Sequence, residues 1–256
     1  MRCADYNKDC AVMNYKLTLS YDGTDYHGWQ RQHNSITVQE ILEDKLSEIF
    51  GSQITVTGCS RTDAGVHAKT YVCNFHGETA IPTDKIHIVL NTVLPEDIRA
   101  YKCEVADKEF NARFDTVKKA YEYKILNGEV CDPLLRRFVW HYPIKLDFEK
   151  MLQASKLICG RHDFKSFCAA GSSVKTTVRN VMKLELYKND NLITMRIEAD
   201  GFLYNMVRII AGTLVYVGNG KLTTENVKEF LEKGDRRLMG ITAPPQGLSL
   251  VEVSYE

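Results

Sequence analysis

At 256 residues the chain is long enough to bury a sizeable core, as one large domain or two small ones. Its 33 basic and 33 acidic residues cancel, which argues against indiscriminate nucleic-acid binding, since such binders carry excess positive charge, but leaves room for a local basic groove. No apolar run approaches membrane-spanning length, and the opening MRCADYNKDCAVMNYK mixes charged and polar residues without an apolar signal core, so a cytoplasmic protein is expected.

Residues 1–13 read as a tail. Tyr15, Leu17, Leu19 and Tyr21 then alternate with Lys16, Thr18 and Ser20, as a half-buried strand does, and Asp22-Gly23 ends the strand with a turn signal. The loop Tyr26-His27-Gly28-Trp29-Gln30-Arg31-Gln32 is rich in hydrogen-bonding groups. Thr37-Val38-Gln39-Glu40 is a capping-box pattern. It opens a helix with an apolar stripe from Val38 to Phe50, and Gly51 is its stop. Strands at 54–57 and 70–76 follow, the second with Tyr71, Cys73 and Phe75 on one face. Pro82-Thr83 begins a second helix reaching to about Asn91, and Ile98 to Val105 predicts a further strand. Strand, helix, strand, strand, helix, strand is the order of a ferredoxin-like unit.

The second half repeats that order. Tyr121 to Ile125 alternates as a strand, another is expected near Phe138 to Tyr142, and Asp147 caps a helix that Gly160 ends. Two alternating runs, Val181 to Tyr187 and Leu192 to Ala199, flank the hairpin signal Asn189-Asp190-Asn191. A strongly apolar helix over Leu203 to Val217 stops at Gly218, a smaller one begins near Thr223, and Leu248 to Val253 closes with a strand. The expected fold class is α+β. Two ferredoxin-like halves, 14–105 and 106–256, lie side by side and form a mixed or antiparallel sheet with a central cleft, a usual place for an active site.

Eight cysteines (Cys3, Cys10, Cys59, Cys73, Cys103, Cys131, Cys159 and Cys168) include no pair with zinc-knuckle spacing, so reduced thiols and no metal are expected. The basic clusters Arg113/Lys118/Lys119, Arg136/Arg137, Lys175/Arg179 and Arg236/Arg237 read singly as solvated faces.

The stretch Gly58 to Ala68, GCSRTDAGVHA, joins two predicted strands and places Arg61 two residues before Asp63, with His67 close behind. A carboxylate beside a guanidinium on a scaffolded loop is a candidate reaction centre; the bland reading is a surface ion pair or an Asp-stabilised turn. In the apolar helix, Asn205, Arg208 and Gly212 share a second face. A glycine there leaves space above Arg208, whose guanidinium could reach a carboxylate or phosphate.

The whole string Gly58-x-x-Arg61-Thr62-Asp63-x-Gly65-Val66-His67 closely resembles the signature of the tRNA pseudouridine synthase A family. The likeness runs along nearly the whole chain. It includes Tyr21-Asp22-Gly23, Gly28-Trp29-Gln30-Arg31-Gln32, Phe110-Asn111-Ala112-Arg113-Phe114, Tyr121-x-Tyr123, Asp163-Phe164-x-Ser166-Phe167, Gly201 to Arg208, and Pro245-Gln246-Gly247-Leu248-x-Leu250. The resemblance implies an enzyme that isomerises uridine to pseudouridine in the anticodon stem-loop of tRNA, around positions 38–40. It also implies two ferredoxin-like halves, a homodimer, and no metal or organic cofactor. Carried over by position, Asp63 is the catalytic carboxylate, Arg61 the motif arginine, Tyr121 the residue packing on the target base, and Arg208 the arginine that reaches the aspartate. The chain departs from the pattern at Cys59 and Ser60 and at Ala120, where a basic residue is common; the last bears on how the RNA backbone is held. Two other readings stay open on residues alone: a non-catalytic RNA-binding module, and a metallohydrolase using His67, His76 and a carboxylate.

Overall fold

The computed structural model describes residues 12–171 and 174–255. Most of the expected tail, with Cys3 and Cys10, lies outside the described residues. The first strand, β1 (Met13–Tyr21), begins two residues before the alternating run. Its extra pairs, Met13 with Gly77 and Asn14 with His76, bring a buried asparagine into the sheet. Asn14 Nδ2 donates to the carbonyls of Asp107 at 2.8 Å and Phe110 at 2.9 Å, and its Oδ1 accepts from Asn74 at 3.0 Å. A polar side chain so satisfied is tolerated in a core, but it hides the strand from a hydrophobicity pattern.

Helix α1 (Val38–Phe50) starts at Thr37, whose hydroxyl accepts from the Glu40 N–H, and ends at Gly51 with φ 68°. Strands β2 (Val56–Gly58) and β3 (His67–Gly77), helix α2 (Thr83–Val93) and strand β4 (Ile98–Val105) complete the first run. The second comprises β5 (Thr116–Leu126), the short β6 (Trp140–His141), α3 (Phe148–Lys156), β7 (Gly160–Asp163), β8 (Val178–Asn189), β9 (Leu192–Ala199), α4 (Met206–Gly218), α5 (Thr224–Lys233) and β10 (Leu248–Tyr255).

All ten strands join in one mixed sheet, ordered β4-β1-β3-β10-β5-β9-β8-β7, with β2 beside β3 and β6 beside β5. Within it, β4-β1-β3-β2 and β10-β5-β9-β8 carry the same ferredoxin-like order. The two runs meet on β3. Strand β1 covers one edge of β3 along its length. The other edge is divided: β10 pairs in parallel with His67 and Ala68, while β2 pairs with Cys73 to Phe75. The sheet therefore forks, and residues 59–66 occupy the gap.

Three glycines act differently from the sequence expectation. Gly160 does not end α3, which stops at Lys156 with Leu157 as its cap; Gly160 has φ 107° and opens β7. Gly218 is the last residue inside α4, with Asn219 as the cap, and as a glycine it gives room to α3, since a Cβ there would come within 2.9 Å of Met151. The space above Gly212 is not open: a Cβ would lie 1.9 Å from the Ile241 carbonyl oxygen, and a Cβ on the facing Gly240 would in turn come within 2.4 Å of the Gly212 backbone. Helix α4 also begins at Met206, three residues late, because Asn205 adopts φ 60°. Among the described residues the cysteines are free thiols, no group of His, Cys, Asp and Glu side chains is arranged to hold a metal, and no helix is long and apolar enough to cross a membrane.

Because backbone rather than a flexible side chain fills the Gly212 notch, Gly212→Ala is expected to destabilise the fold by about 2 kcal/mol or more, read as a lower urea midpoint at unchanged m.

Candidate active site

The loop from Cys59 to Val66 is held from three directions. Tyr21 Oη and Thr62 Oγ1 are 2.8 Å apart in the core, and the Trp29 N–H donates to the Thr62 carbonyl at 3.1 Å. That approach requires Gly28, where φ is 84° and a Cβ would fall 2.4 Å from the same carbonyl oxygen. Gly65, with φ 75°, donates to the Tyr26 carbonyl at 3.2 Å, and the Val66 N–H closes a turn onto the Asp63 carbonyl at 3.1 Å. Thr62 is thus buried and Asp63, beside it, faces the gap in the sheet.

Arg208, from the first turn of α4, meets Asp63 there. Its Nη1 donates to Asp63 Oδ2 at 3.1 Å and to Asn205 Oδ1 at 2.7 Å, and its Nε donates to the Ala243 carbonyl at 2.7 Å. The Asp63 side chain is 20% exposed and that of Arg208 15%. Burial pushes the Asp63 carboxyl above the usual carboxylate range, and the bond and charge from Arg208 pull it back without cancelling the shift.

Tyr121 enters from β5. Its ring is buried edge-on to Phe202, with centroids 5.1 Å apart, and its hydroxyl lies 2.9 Å from Ser60 Oγ. Burial raises its phenol well above the ordinary range, so it is protonated. Arg61 is exposed, and its guanidinium has no hydrogen bond or ion pair among the described residues. Asp63, Arg61, Tyr121 and Arg208 line one cleft of about 690 Å³, to which both runs of the chain contribute. In its lining the basic Arg61, Arg113, Lys119, Arg179 and Arg208 outnumber the acidic Asp63 and Asp200, which suits an anionic ligand despite zero net charge.

Lys119, which as part of a basic cluster is expected on a solvated face, is a further functional candidate. Lys118, one residue earlier, pairs with Glu198 at 3.1 Å and Glu252 at 3.5 Å. Lys119 lines the cleft with Tyr121 and donates to the Cys59 carbonyl. Burial, aided by the nearby Arg113 charge, pushes its ammonium below the usual lysine range. Strand alternation held the signal, since Lys119 and Tyr121 share a face. Ala120 between them is fully buried, so the departure from the family pattern there does not itself face the cleft.

Other clusters brace the scaffold. Arg236 donates to the Gly240 carbonyl at 2.9 Å and to Thr242 at 3.0 Å, supporting the segment that fills the Gly212 notch. Arg137 pairs with Asp25 at 3.2 Å. His67 is buried under Phe138, with Nε2 2.8 Å from the Arg137 carbonyl and 3.2 Å from that of Gln246, while His76 is exposed. His67 therefore ties segments together, and the pair forms no ligand set.

Comparison with known proteins agrees over most of this architecture. A family profile described as tRNA pseudouridine synthase matches residues 18–115 and 154–256. The tRNA pseudouridine synthase A of Clostridium acetobutylicum is 48% identical over 244 residues, covering 95% of this chain and all of that protein. The protein of the same name from Thermoanaerobacter sp. (strain X514) is 46% identical over the same coverage, and the tRNA pseudouridine synthase A 2 of Clostridium perfringens 44%. With whole-length identity far above what a shared fold alone would leave, the chain belongs to the tRNA pseudouridine synthase family of RNA-modifying isomerases.

Proposed function

We propose that this cleft isomerises uridine to pseudouridine in the anticodon stem-loop of tRNA, around positions 38–40, with Asp63 as the catalytic carboxylate. The observation that carries this reading is the Asp63–Arg208 pair, 3.1 Å apart, facing a basic cleft beside Tyr121. The reaction breaks the N1–C1′ bond, turns the uracil, joins C5 to C1′ and releases the C5 proton. A carboxylate can start it by attacking C1′ or by removing a sugar proton, and both routes need Asp63 ionised in a shielded place. Arg208 supplies the opposing charge that keeps it so, while Asn205 and the Ala243 carbonyl fix the guanidinium.

The target uridine leaves its stack to reach this depth, at a cost of a few kcal/mol. Tyr121 then packs against the base and Arg61, with its guanidinium free, helps hold the extruded nucleotide. Arg113, Arg179 and Lys119 lie where backbone phosphates would pass. The reading includes a cytoplasmic homodimer that needs no metal or organic cofactor, as the family resemblance implies; light scattering of the purified protein tests the dimer.

Asp63→Asn is expected to cut tritium release from 5-tritiated uridine in tRNA by more than about 10³-fold while tRNA binding persists. Wild-type-like turnover in that variant sinks the assignment. Folding opposes ionisation of a carboxyl whose pKa it raises, so above that pKa the ionised group subtracts from stability. The same variant should therefore keep or raise Tm at neutral pH.

Activity is expected to fall as pH drops through the raised Asp63 pKa, so the acid limb of kcat/KM lies above the ordinary aspartate value of about 3.9. Arg208→Gln removes the cation that opposes the shift, so the limb should move to higher pH and kcat should drop. An acid limb that stays in place would show that Asp63 is not the group titrating.

A further inference from the structure

A second, smaller groove of about 190 Å³ lies beside the cleft, with Trp29, Gln30, Gly58, Arg61 and Arg113 in its walls. Arg61 and Arg113 line both cavities and so stand between them. Both are exposed, and neither guanidinium has a hydrogen bond or ion pair among the described residues. Elsewhere Arg31, Arg99, Arg137, Arg196, Arg208 and Arg236 each donate to a carboxylate or carbonyl. The backbone that carries Arg113 is anchored: the Ala112 N–H donates to the buried Asn74 at 2.9 Å and the Arg113 N–H to Asn111 Oδ1 at 3.0 Å. Arg113 lies over the Phe114 ring at 5.5 Å, a contact that leaves its N–H donors free, and two guanidinium forks with open donors at the boundary of two cavities suit a phosphate.

The far wall is suited to a base edge. Strand β2 is short, and among the described residues no strand pairs with its outer edge. At Val56 that edge is satisfied: the N–H donates to Glu43 Oε1 at 3.0 Å and the carbonyl accepts from Gln39 Nε2 at 3.1 Å. The Cys59 N–H turns inward to the Val72 carbonyl at 2.9 Å. By strand alternation Gly58 turns its own N–H and carbonyl outward, on the side of the groove it lines. A Cβ at Gly58 would come within 2.6 Å of the Trp29 ring, so the indole, stacked on Tyr71 at 4.0 Å, packs directly against bare peptide. Gln30 leans its Nε2 on Gln39 Oε1 at 3.3 Å, leaving its own carbonyl oxygen available. A peptide donor, a peptide acceptor and an amide oxygen in one concave wall can read the edge of an unpaired nucleobase.

We propose that this groove binds the base of an unpaired nucleotide next to the target uridine in the RNA strand, with the linking phosphate between Arg61 and Arg113. The inference rests on the reading of the larger cleft as the uridine site.

The test is a coupling cycle on anticodon stem-loop RNAs: intact, and abasic at the nucleotide on either side of the target. Wild type should lose about fivefold or more in kcat/KM with one of the two abasic RNAs. Gln30→Ala, an exposed position that leaves folding intact by Tm, should lose a similar factor on intact RNA and nothing further on that abasic RNA. Losses that multiply with both abasic RNAs, or no loss in Gln30→Ala, overturn the proposal. Arg113→Gln should also raise KM and flatten the slope of log KM against log salt by about 0.7, the share of one phosphate on single-stranded RNA; an unchanged slope overturns the phosphate half. Absence of pseudouridine from intact tRNA with wild-type enzyme would instead refute the reading of the main cleft.

Discussion

Strand β3 has one edge that two partners share without meeting each other: β10 holds its first residues and β2 its later ones. A sheet cannot continue across such a gap, because backbone groups between the two partners must find other ligands. The Cys59 N–H takes one of them, the Val72 carbonyl, and draws the 59–66 loop into the fork. Fold and site therefore have one origin. The place where the two ferredoxin-like runs join is the place where the sheet opens, and the loop that fills the opening carries Asp63.

The Asp63 carboxylate depends on a chain of contacts that ends far from it in sequence. Gly212 lets the 240–243 backbone lie against α4, and Arg236 ties that segment down. The segment then offers the Ala243 carbonyl to Arg208, which is left with one fork for Asp63. An arginine held by two neutral acceptors reaches a half-buried carboxylate without needing that carboxylate for its own orientation. Burial raises the Asp63 pKa, and the hydrogen bond and charge from Arg208 restrain the rise.

Much of this is legible in the sequence. Local signals decided the elements: Thr37 and Gly51 bound α1, Asp147 caps α3, and Asp190 with φ 51° turns the β8–β9 hairpin. The signals that misled were glycines. Gly160, Gly212 and Gly218 look alike in sequence as helix stops or notches, yet one opens a strand and two make room for neighbouring backbone or side chain. Lys118 and Lys119 were equally indistinct, and only the direction each side chain takes from β5 separates an ion pair on one face from a cleft group on the other.

The sequence by itself determined the α+β class, the repeated order of elements and the motif loop with Arg61 and Asp63, because capping, alternation and turn chemistry act over a few residues. Tertiary structure alone decided that Arg208 meets Asp63, that Tyr121 reaches Ser60 from another strand, and that 240–243 fills the Gly212 notch. Those contacts join positions from 61 to 145 residues apart for the first two, and no local preference encodes such a distance. They form only when the shared edge of β3 has brought the two runs together.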